Sequence, residues 1–222
     1  MARAHDEVPG GSFFMLGIIH RDKRNEELLG KWIEALVPGV VTLELSPYGL
    51  AFRREMGEVY RKKIDDALYA LRSEGYACQP GDFEDLYAYV DIPREFAIAD
   101  NYCRCNDACL YPVDMDLFSY TRLRAMDELT SRENIEKRVS GKAPERGGME
   151  AVLADLYFRS GVTAFSYTDE MALRDRFMCR GIGLLMKRFR GRRFLHIAGW
   201  QHLKDPLALY AKFHPVKIFP YD

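Results

Sequence analysis

The sequence has no uncharged apolar run close to the ~18 residues that a membrane-spanning helix requires. Its short amino-terminal apolar stretch follows titratable residues at 5–7 and is interrupted by small residues at 10–12, which is unlike a signal peptide. We therefore expect a soluble, cytoplasmic protein that does not insert into membranes.

Cysteine is scarce and irregularly spaced. The chain has 5 cysteines, an odd number, which favours reduced thiols over a disulfide framework. Cys103, Cys105 and Cys109, with Cys78 upstream, resemble zinc ligands, but on a helix only Cys105 and Cys109 share a face. We expect buried free thiols rather than a zinc cluster.

Neither sign of charge is in excess, since 32 lysines and arginines face 33 aspartates and glutamates. The chain as a whole therefore gives no electrostatic reason to bind nucleic acid or an anionic membrane. The basic run at 187–193 follows a predicted helix, where the helix dipole favours cations. We expect a peptide or small-molecule substrate, no nucleic acid, no membrane, and a homodimer on base rates alone.

The composition is that of an ordinary folded protein, with 222 residues, 48% of them hydrophobic and 29% charged. Apolar runs and helical spacing predict strands at 13–19, 40–45, 108–113, 193–198 and 216–219, and helices at 24–36, 50–72, 83–106 (with breaks at Gly81 and Pro93), 167–189 and 203–213. The segment 131–148 is expected to be a loop or an exposed helix pair. Strand–helix–strand units at both ends suit parallel crossovers. We predict one α/β domain over 1–222, with a central mixed, mostly parallel sheet flanked by helices and a helical insertion in the middle third.

One short motif, GxxH, occurs after an apolar strand near each end of the chain. It is Gly17 to His20 after the first strand and Gly199 to His202 after the fourth. Glycine permits a sharp turn or a close backbone approach at a strand end, where α/β sheets present their chemistry. The two histidines are therefore expected to meet if the strands are neighbours.

Glu44 is a single carboxylate inside the apolar second strand, and a buried carboxylate is costly unless it has a partner. In a parallel sheet, His20, Glu44 and His202 converge at one edge. Two imidazoles and a carboxylate suit a divalent ion with open positions, such as Mn, Co or Zn. The alternative is a histidine that hydrogen-bonds a loop and a glutamate that merely ends a strand.

Arg174 and Asp175 lie at the margin of the apolar stripe of the helix at 167–189, so both are expected to be paired. In the functional interpretation, Arg174 donates to a substrate carbonyl or developing oxyanion and is held by Asp175. The alternative is a boundary salt bridge.

Three further polar residues end or interrupt strands. Asp114 is expected to orient a ligand histidine or to cap the following helix, and Asp116 is expected to cap that helix. His196, inside the fourth strand, is expected to be a satisfied core histidine rather than a ligand.

These segments occur in the order of a known family. The first GxxH, the strand-end Glu44, the VDMD run that contains Asp114, the RDxxM segment that contains Arg174, and the second GxxH resemble the TraB and Tiki family. That family belongs to a superfamily that also includes erythromycin esterase and the haem-binding ChaN proteins. The chain differs at Leu173, where TraB proteins commonly have glutamate.

The resemblance implies a mixed α/β fold with the motifs at one sheet edge. For the Tiki branch it also implies metal-dependent peptide hydrolysis, with His20, Glu44 and His202 as metal ligands or catalytic groups. Arg174 and Asp175 match the charged pair of the family.

The sequence therefore predicts a metal-dependent hydrolase of a peptide or a related amide or ester. Two alternatives stay open. One is a metal-independent hydrolase in which a histidine is the general base, as the erythromycin esterase resemblance suggests. The other is a protein that binds a peptide or small ligand in the same cleft without turnover.

Overall fold

The computed structural model describes residues 12–20, 22, 24–141, 154 and 167–221. Contacts divide the chain into two compact units. The described parts of the first unit are 12–20, 22, 24–45, 94–115, 154 and 167–221, and those of the second unit are 46–93 and 116–141. The described helices are α1 (Asn25–Leu36), α2 (Pro47–Ser73), α3 (Glu84–Val90), α4 (Arg94–Cys105), α5 (Asp116–Leu123), α6 (Met126–Leu129), α7 (Arg132–Ser140) and α8 (Asp169–Arg188). No helix in these ranges is long and apolar enough to cross a membrane.

The first unit contains a parallel sheet. Its described strands are β1 (Phe13–Ile18), β2 (Val40–Leu43), β3 (Cys109–Pro112), β4 (Phe194–Gly199) and β5 (Val216–Ile218). Their order is β3-β2-β4-β1-β5, and every pairing is parallel. The predicted α/β class, with a largely parallel sheet flanked by helices, is confirmed. Because β4 lies between β1 and β2, the strand before the second GxxH motif adjoins both the strand of the first motif and the strand that precedes Glu44.

The helix that carries Arg174 and Asp175 is α8, close to the predicted range. Thr168 caps it by accepting a hydrogen bond from the Met171 N–H, and two acidic residues follow in the first turn. Its buried face includes Met178 and Ile182, which belong to the apolar core on one side of the sheet. The apolar stripe read from the sequence therefore anchors α8 to the sheet.

The second unit is helical, with its own apolar core formed by α2, α3 and the short helices after Asp116. Its longest helix, α2, begins before the predicted boundary because Ser46 caps it and Pro47 fits the first turn. The break before α4 lies at Pro93, as the sequence indicates. Within the segment 131–148, α7 is a helix, and 142–148 lie outside the described residues.

The predicted helix at 203–213 is wrong. The chain instead forms two short 3₁₀ segments, Trp200–Lys204 and Ala211–Phe213. Asp205 and Ala208 have left-handed backbone conformations, and the Asp205 carboxylate accepts hydrogen bonds from the Leu209 and Tyr210 N–H groups. These local bonds compete with a helix, and Pro206 removes a further donor.

The glycine of the first GxxH makes room for the turn of the second. A Cβ on Gly17 would lie 2.4 Å from Leu203 Cδ1 and 2.9 Å from the backbone Cα of Trp200. The side chain of Leu203 can yield, but the backbone of Trp200 cannot move without disturbing β4. Gly17 is therefore required by close packing rather than by its backbone angles.

We expect Gly17→Ala to lower the free energy of unfolding by about 1–3 kcal/mol, because the added methyl overpacks the β1–β4 junction. Gly30→Ala is the matched control, since a Cβ there meets nothing within 4 Å. That control replaces a glycine in the interior of α1 and should be neutral or stabilising by up to ~1 kcal/mol. Urea denaturation measures both, and equal values for the two variants would contradict this packing argument.

Candidate active site at the sheet edge

The carboxyl ends of β1, β2 and β4 lie side by side. Ile18 pairs with Gly199, and Leu43 pairs with Ile197. The ladder continues past the strand, because the Glu44 N–H donates to the Ile197 carbonyl at 2.9 Å. The backbone therefore holds Glu44 beside the turn that carries the second GxxH.

Glu44 is buried, with 6% of its side chain exposed, and donors surround it. The Gly199 N–H donates to Oε2 at 2.7 Å, Arg174 Nη2 donates to Oε1, and His202 Nε2 lies 3.2 Å from Oε1. Burial alone would raise the pKa of Glu44, but the charges of His202 and Arg174 hold it well below its usual range. Glu44 is an ionised carboxylate, with the partners that its sequence position requires.

His202 lies between two carboxylates. Its Nδ1–H donates to Asp175 Oδ1 at 2.6 Å, while Nε2 faces Glu44. Burial would lower the pKa of His202, but Glu44 and Asp175 outweigh this effect and raise the pKa to about 10. Without a competing cation, His202 is therefore an imidazolium at neutral pH.

The prediction that Asp175 holds Arg174 is wrong. Asp175 is fully buried and accepts hydrogen bonds from His202, from Tyr167 at 2.5 Å and from Tyr210 at 2.9 Å. Successive residues of a helix point about 100° apart, so the two neighbours reach different partners. Asp175 holds the histidine of the second GxxH.

Arg174 binds Glu44 and Asp114. Its Nε lies 3.1 Å from Asp114 Oδ1, its Nη2 lies 2.6 Å from Asp114 Oδ2, and the same Nη2 reaches Glu44. Burial would lower the pKa of Arg174, but the two carboxylates raise it above its usual value. The guanidinium is permanently charged and fixed at the sheet edge.

The expected roles of Asp114 and Asp116 are corrected. Asp114 holds Arg174 and accepts a hydrogen bond from the Met115 N–H, so it neither orients a histidine nor caps α5. Asp116 is the first residue of α5, and its carboxylate accepts from the Tyr48 N–H at the start of α2. Both aspartates have found partners far away in the sequence, which alternation along a strand does not specify.

His20 is the more exposed of the two GxxH histidines, with 42% of its side chain exposed. Its Nε2 lies 4.0 Å from Glu44 Oε2, and its Nδ1 lies 3.8 Å from Glu95 Oε1. A Cβ on Gly199 would lie 2.8 Å from His20 Nε2, so the glycine of the second GxxH makes room for the histidine of the first. His20, Glu44 and His202 therefore meet at one edge.

Glu95, in the first turn of α4, is a site residue that sequence reasoning missed. Burial would raise its pKa, but His20 lowers it. Nothing near Glu95 forms a recognisable motif, and the one local signal is an acidic residue just after Pro93 at a helix start. Its carboxylate faces Nδ1 of His20, and the Asp175 carboxylate likewise faces Nδ1 of His202.

The donor atoms of His20, Glu44 and His202 are chemically suited to a divalent cation, but they do not yet surround a common position. In the described residues, no group of three or more His, Cys, Asp or Glu side chains already has the arrangement of a metal site. Two ligands of a tetrahedral ion lie ~3.3 Å apart, which matches the 3.2 Å between His202 Nε2 and Glu44 Oε1. His20 Nε2 lies 4.0 Å from the other carboxylate oxygen, Oε2, so the partly exposed His20 side chain would have to move before it could share an ion with His202.

His196 is only half satisfied, which corrects the expectation of a satisfied core histidine. Its Nδ1 contacts Thr42 Oγ1 at 3.0 Å, while Nε2 has no hydrogen-bond partner in the described part of the chain. Burial, reinforced by the charge of His202, lowers the pKa of His196 to about 4. His196 is therefore neutral, next to a charged histidine.

Comparison of the chain with known protein families, with curated proteins and with solved structures found no match. The resemblance to the TraB and Tiki family therefore stays a prediction from the motifs.

In metal-free protein at pH 7, we expect imidazole ¹⁵N NMR to show His202 charged and His196 neutral. The pKa of His202 is raised on folding, so its stabilisation is complete below about pH 6.5 and is lost as the pH rises toward 10. His202→Gln should therefore flatten the fall in unfolding free energy over this alkaline range. A His202 that titrates near 6.5 would contradict the arrangement described here.

Proposed function

We propose that this site hydrolyses a peptide or a related amide or ester bond with a divalent cation held by His20, Glu44 and His202. One observation carries the proposal: both imidazoles turn Nε2 toward Glu44 while each Nδ1 faces a second carboxylate. Metal-binding histidines in proteins are oriented in this way by carboxylates that contact the other ring nitrogen.

The charges of the site also favour a cation. Glu44, Glu95, Asp114 and Asp175 supply four carboxylates, whereas Arg174 and the His202 imidazolium are the fixed cations among them. The described carboxylates of the site therefore outnumber its fixed cations in a poorly solvated place. A divalent ion would offset that excess.

Each residue has a distinct task. Asp175 keeps the Nδ1 proton of His202, so the proton that must leave when a cation binds is the one on Nε2. Glu95 faces Nδ1 of His20 and orients its ring. Arg174, pinned by Glu44 and Asp114, presents a fixed positive charge beside the place where a carbonyl oxygen gains negative charge. A bound cation would supply Lewis-acid chemistry, acidifying water and polarising that carbonyl.

The direct test is calorimetric titration of chelator-treated protein with Zn²⁺, Mn²⁺ and Co²⁺. We expect one ion per chain and release of about one proton at pH 7, because His202 must lose its Nε2 proton. The affinity should therefore rise with pH over the range 6 to 9. His20→Ala and His202→Ala should each weaken binding at least about tenfold.

The matched control is His214→Asn, which removes an exposed histidine outside the site and retains a residue that tolerates the left-handed conformation at this position. It should bind metal as the unaltered protein does. Stoichiometric binding that survives both site substitutions, or no binding at any pH, would refute the metal site. Cleavage is then followed by mass spectrometry on a mixed peptide and ester library, with and without the metal.

Metal-free hydrolysis is a second candidate, favoured by the imidazolium state of His202. In that version His20, which is exposed, removes the proton from water, and Glu44 orients it. Hydrolysis that resists chelators and is lost in His20→Ala would support this candidate. Ligand binding without any cleavage would instead support the non-catalytic alternative.

Glu95→Gln tests whether the carboxylate behind His20 positions that ring. Glutamine keeps the size but removes the charge, so we expect metal affinity to fall about tenfold with little change in the free energy of unfolding. Glu95→Asp, which retains the charge, should restore part of the affinity. Unchanged affinity in Glu95→Gln would show that Glu95 is a bystander.

The TraB and Tiki resemblance supports the same chemistry from the order of the motifs, and membership of that family is part of the proposal. We also propose a cytoplasmic location, since the thiols of the described cysteines are free.

A further inference from the structure

A groove of about 620 Å³ runs along α8, and no residue of the strand-end site lines it. Five exposed cations line this groove: Arg176, Arg180, Lys187, Arg190 and Lys212. No acidic residue is among the lining residues that the structure describes. Within the described ranges, none of the five forms an ion pair with a carboxylate, so the described residues do not neutralise the positive charge of the groove.

Three of these cations lie in a row along one edge of α8. Arg176 and Arg180 are one helical turn apart, and Lys187 continues the same edge, so the three span about 17 Å along the helix axis. Side chains on one face of an extended peptide are about 6.8 Å apart, close to the ~6 Å rise between Arg176 and Arg180. An extended chain with acidic residues at alternate positions therefore matches the spacing of Arg176 and Arg180.

The floor of the groove is apolar. The apolar side chains include Leu184 on α8, which is 61% exposed, and also Leu209 and Phe213, which form the wall that faces α8. That wall is fixed, because the Cys179 thiol donates to the Leu209 carbonyl and Asp205 holds the Leu209 N–H. Alternating acidic and apolar side chains would satisfy the cations and cover the floor at the same time.

A nucleic-acid strand fits this floor less well. Binding of single strands relies on aromatic faces on which bases stack. The ring of Phe213 makes a T-shaped contact with Phe13, lies against Gly183 and has Lys212 Nζ over one face at 5.0 Å, which leaves a base no more than one face.

We infer that the α8 groove binds an extended acidic peptide segment with alternating carboxylate and apolar side chains. The inference does not depend on the proposed hydrolase activity, because it concerns binding to a separate surface. The cations supply charge complementarity and Leu184 and Leu209 supply the apolar contact.

The test is fluorescence anisotropy with a labelled peptide of about eight alternating glutamates and leucines, long enough to span the groove. We expect saturable binding that weakens as salt is added, since exposed charge pairs are screened. Peptides with lysine for glutamate, or serine for leucine, should bind more weakly. A labelled oligothymidylate is the nucleic-acid arm.

Arg180→Glu with Lys187→Glu should weaken peptide binding at least about tenfold, because two attractive contacts become repulsive. Lys62→Glu, an exposed lysine on α2, is the charge-matched control and should leave the affinity within about twofold. Leu184→Ser tests the apolar contact and should weaken binding without affecting folding, because Leu184 is exposed. No binding, tighter binding of the oligothymidylate, or equal loss in Lys62→Glu would overturn the inference.

Discussion

The buried carboxylate of Glu44 is the constraint on which the sheet edge depends. It accepts a hydrogen bond from the Gly199 backbone, holds the guanidinium of Arg174 and faces the imidazole of His202. Removing it would leave two buried cations without their shared partner, which is far more costly than losing a surface ion pair. Its neighbours therefore stabilise the fold at the same place where we propose that a cation binds.

The amino-acid sequence predicts the strands, the α/β class and the convergence of three site residues, because apolar runs and strand-end positions follow local periodicity. It does not predict which partner each charged side chain chooses. Arg174 and Asp175 are adjacent in sequence, yet one turns to Asp114 and the other to His202. Glu95 shows the same limit, since its contact with His20 depends on where α4 crosses the sheet edge.

Environment, rather than residue type, separates the proton affinities of His196 and His202. His196 lies inside the sheet, where Thr42 is the one polar contact of its side chain among the described residues, and it is neutral. His202 is almost as buried but has a carboxylate on each side and is charged. The sequence shows two identical side chains and does not tell which of them has the higher pKa. The two pKa values depend on burial and on neighbours that α8 and the end of β2 bring close. The predicted helix at 203–213 is absent for a related reason. The Asp205 carboxylate accepts hydrogen bonds from the Leu209 and Tyr210 N–H groups, which a helix would need for its own hydrogen bonds.

Each glycine of the repeated motif makes room for a part of the other copy of the motif. Gly17 admits the turn of the later motif, and Gly199 admits the imidazole of the earlier one. Neither motif is thus a self-contained module that could be grafted alone onto another sheet. The smallest transferable unit is the pair of adjacent strands with both turns, and substitutions in one copy should be compatible only with particular residues in the other.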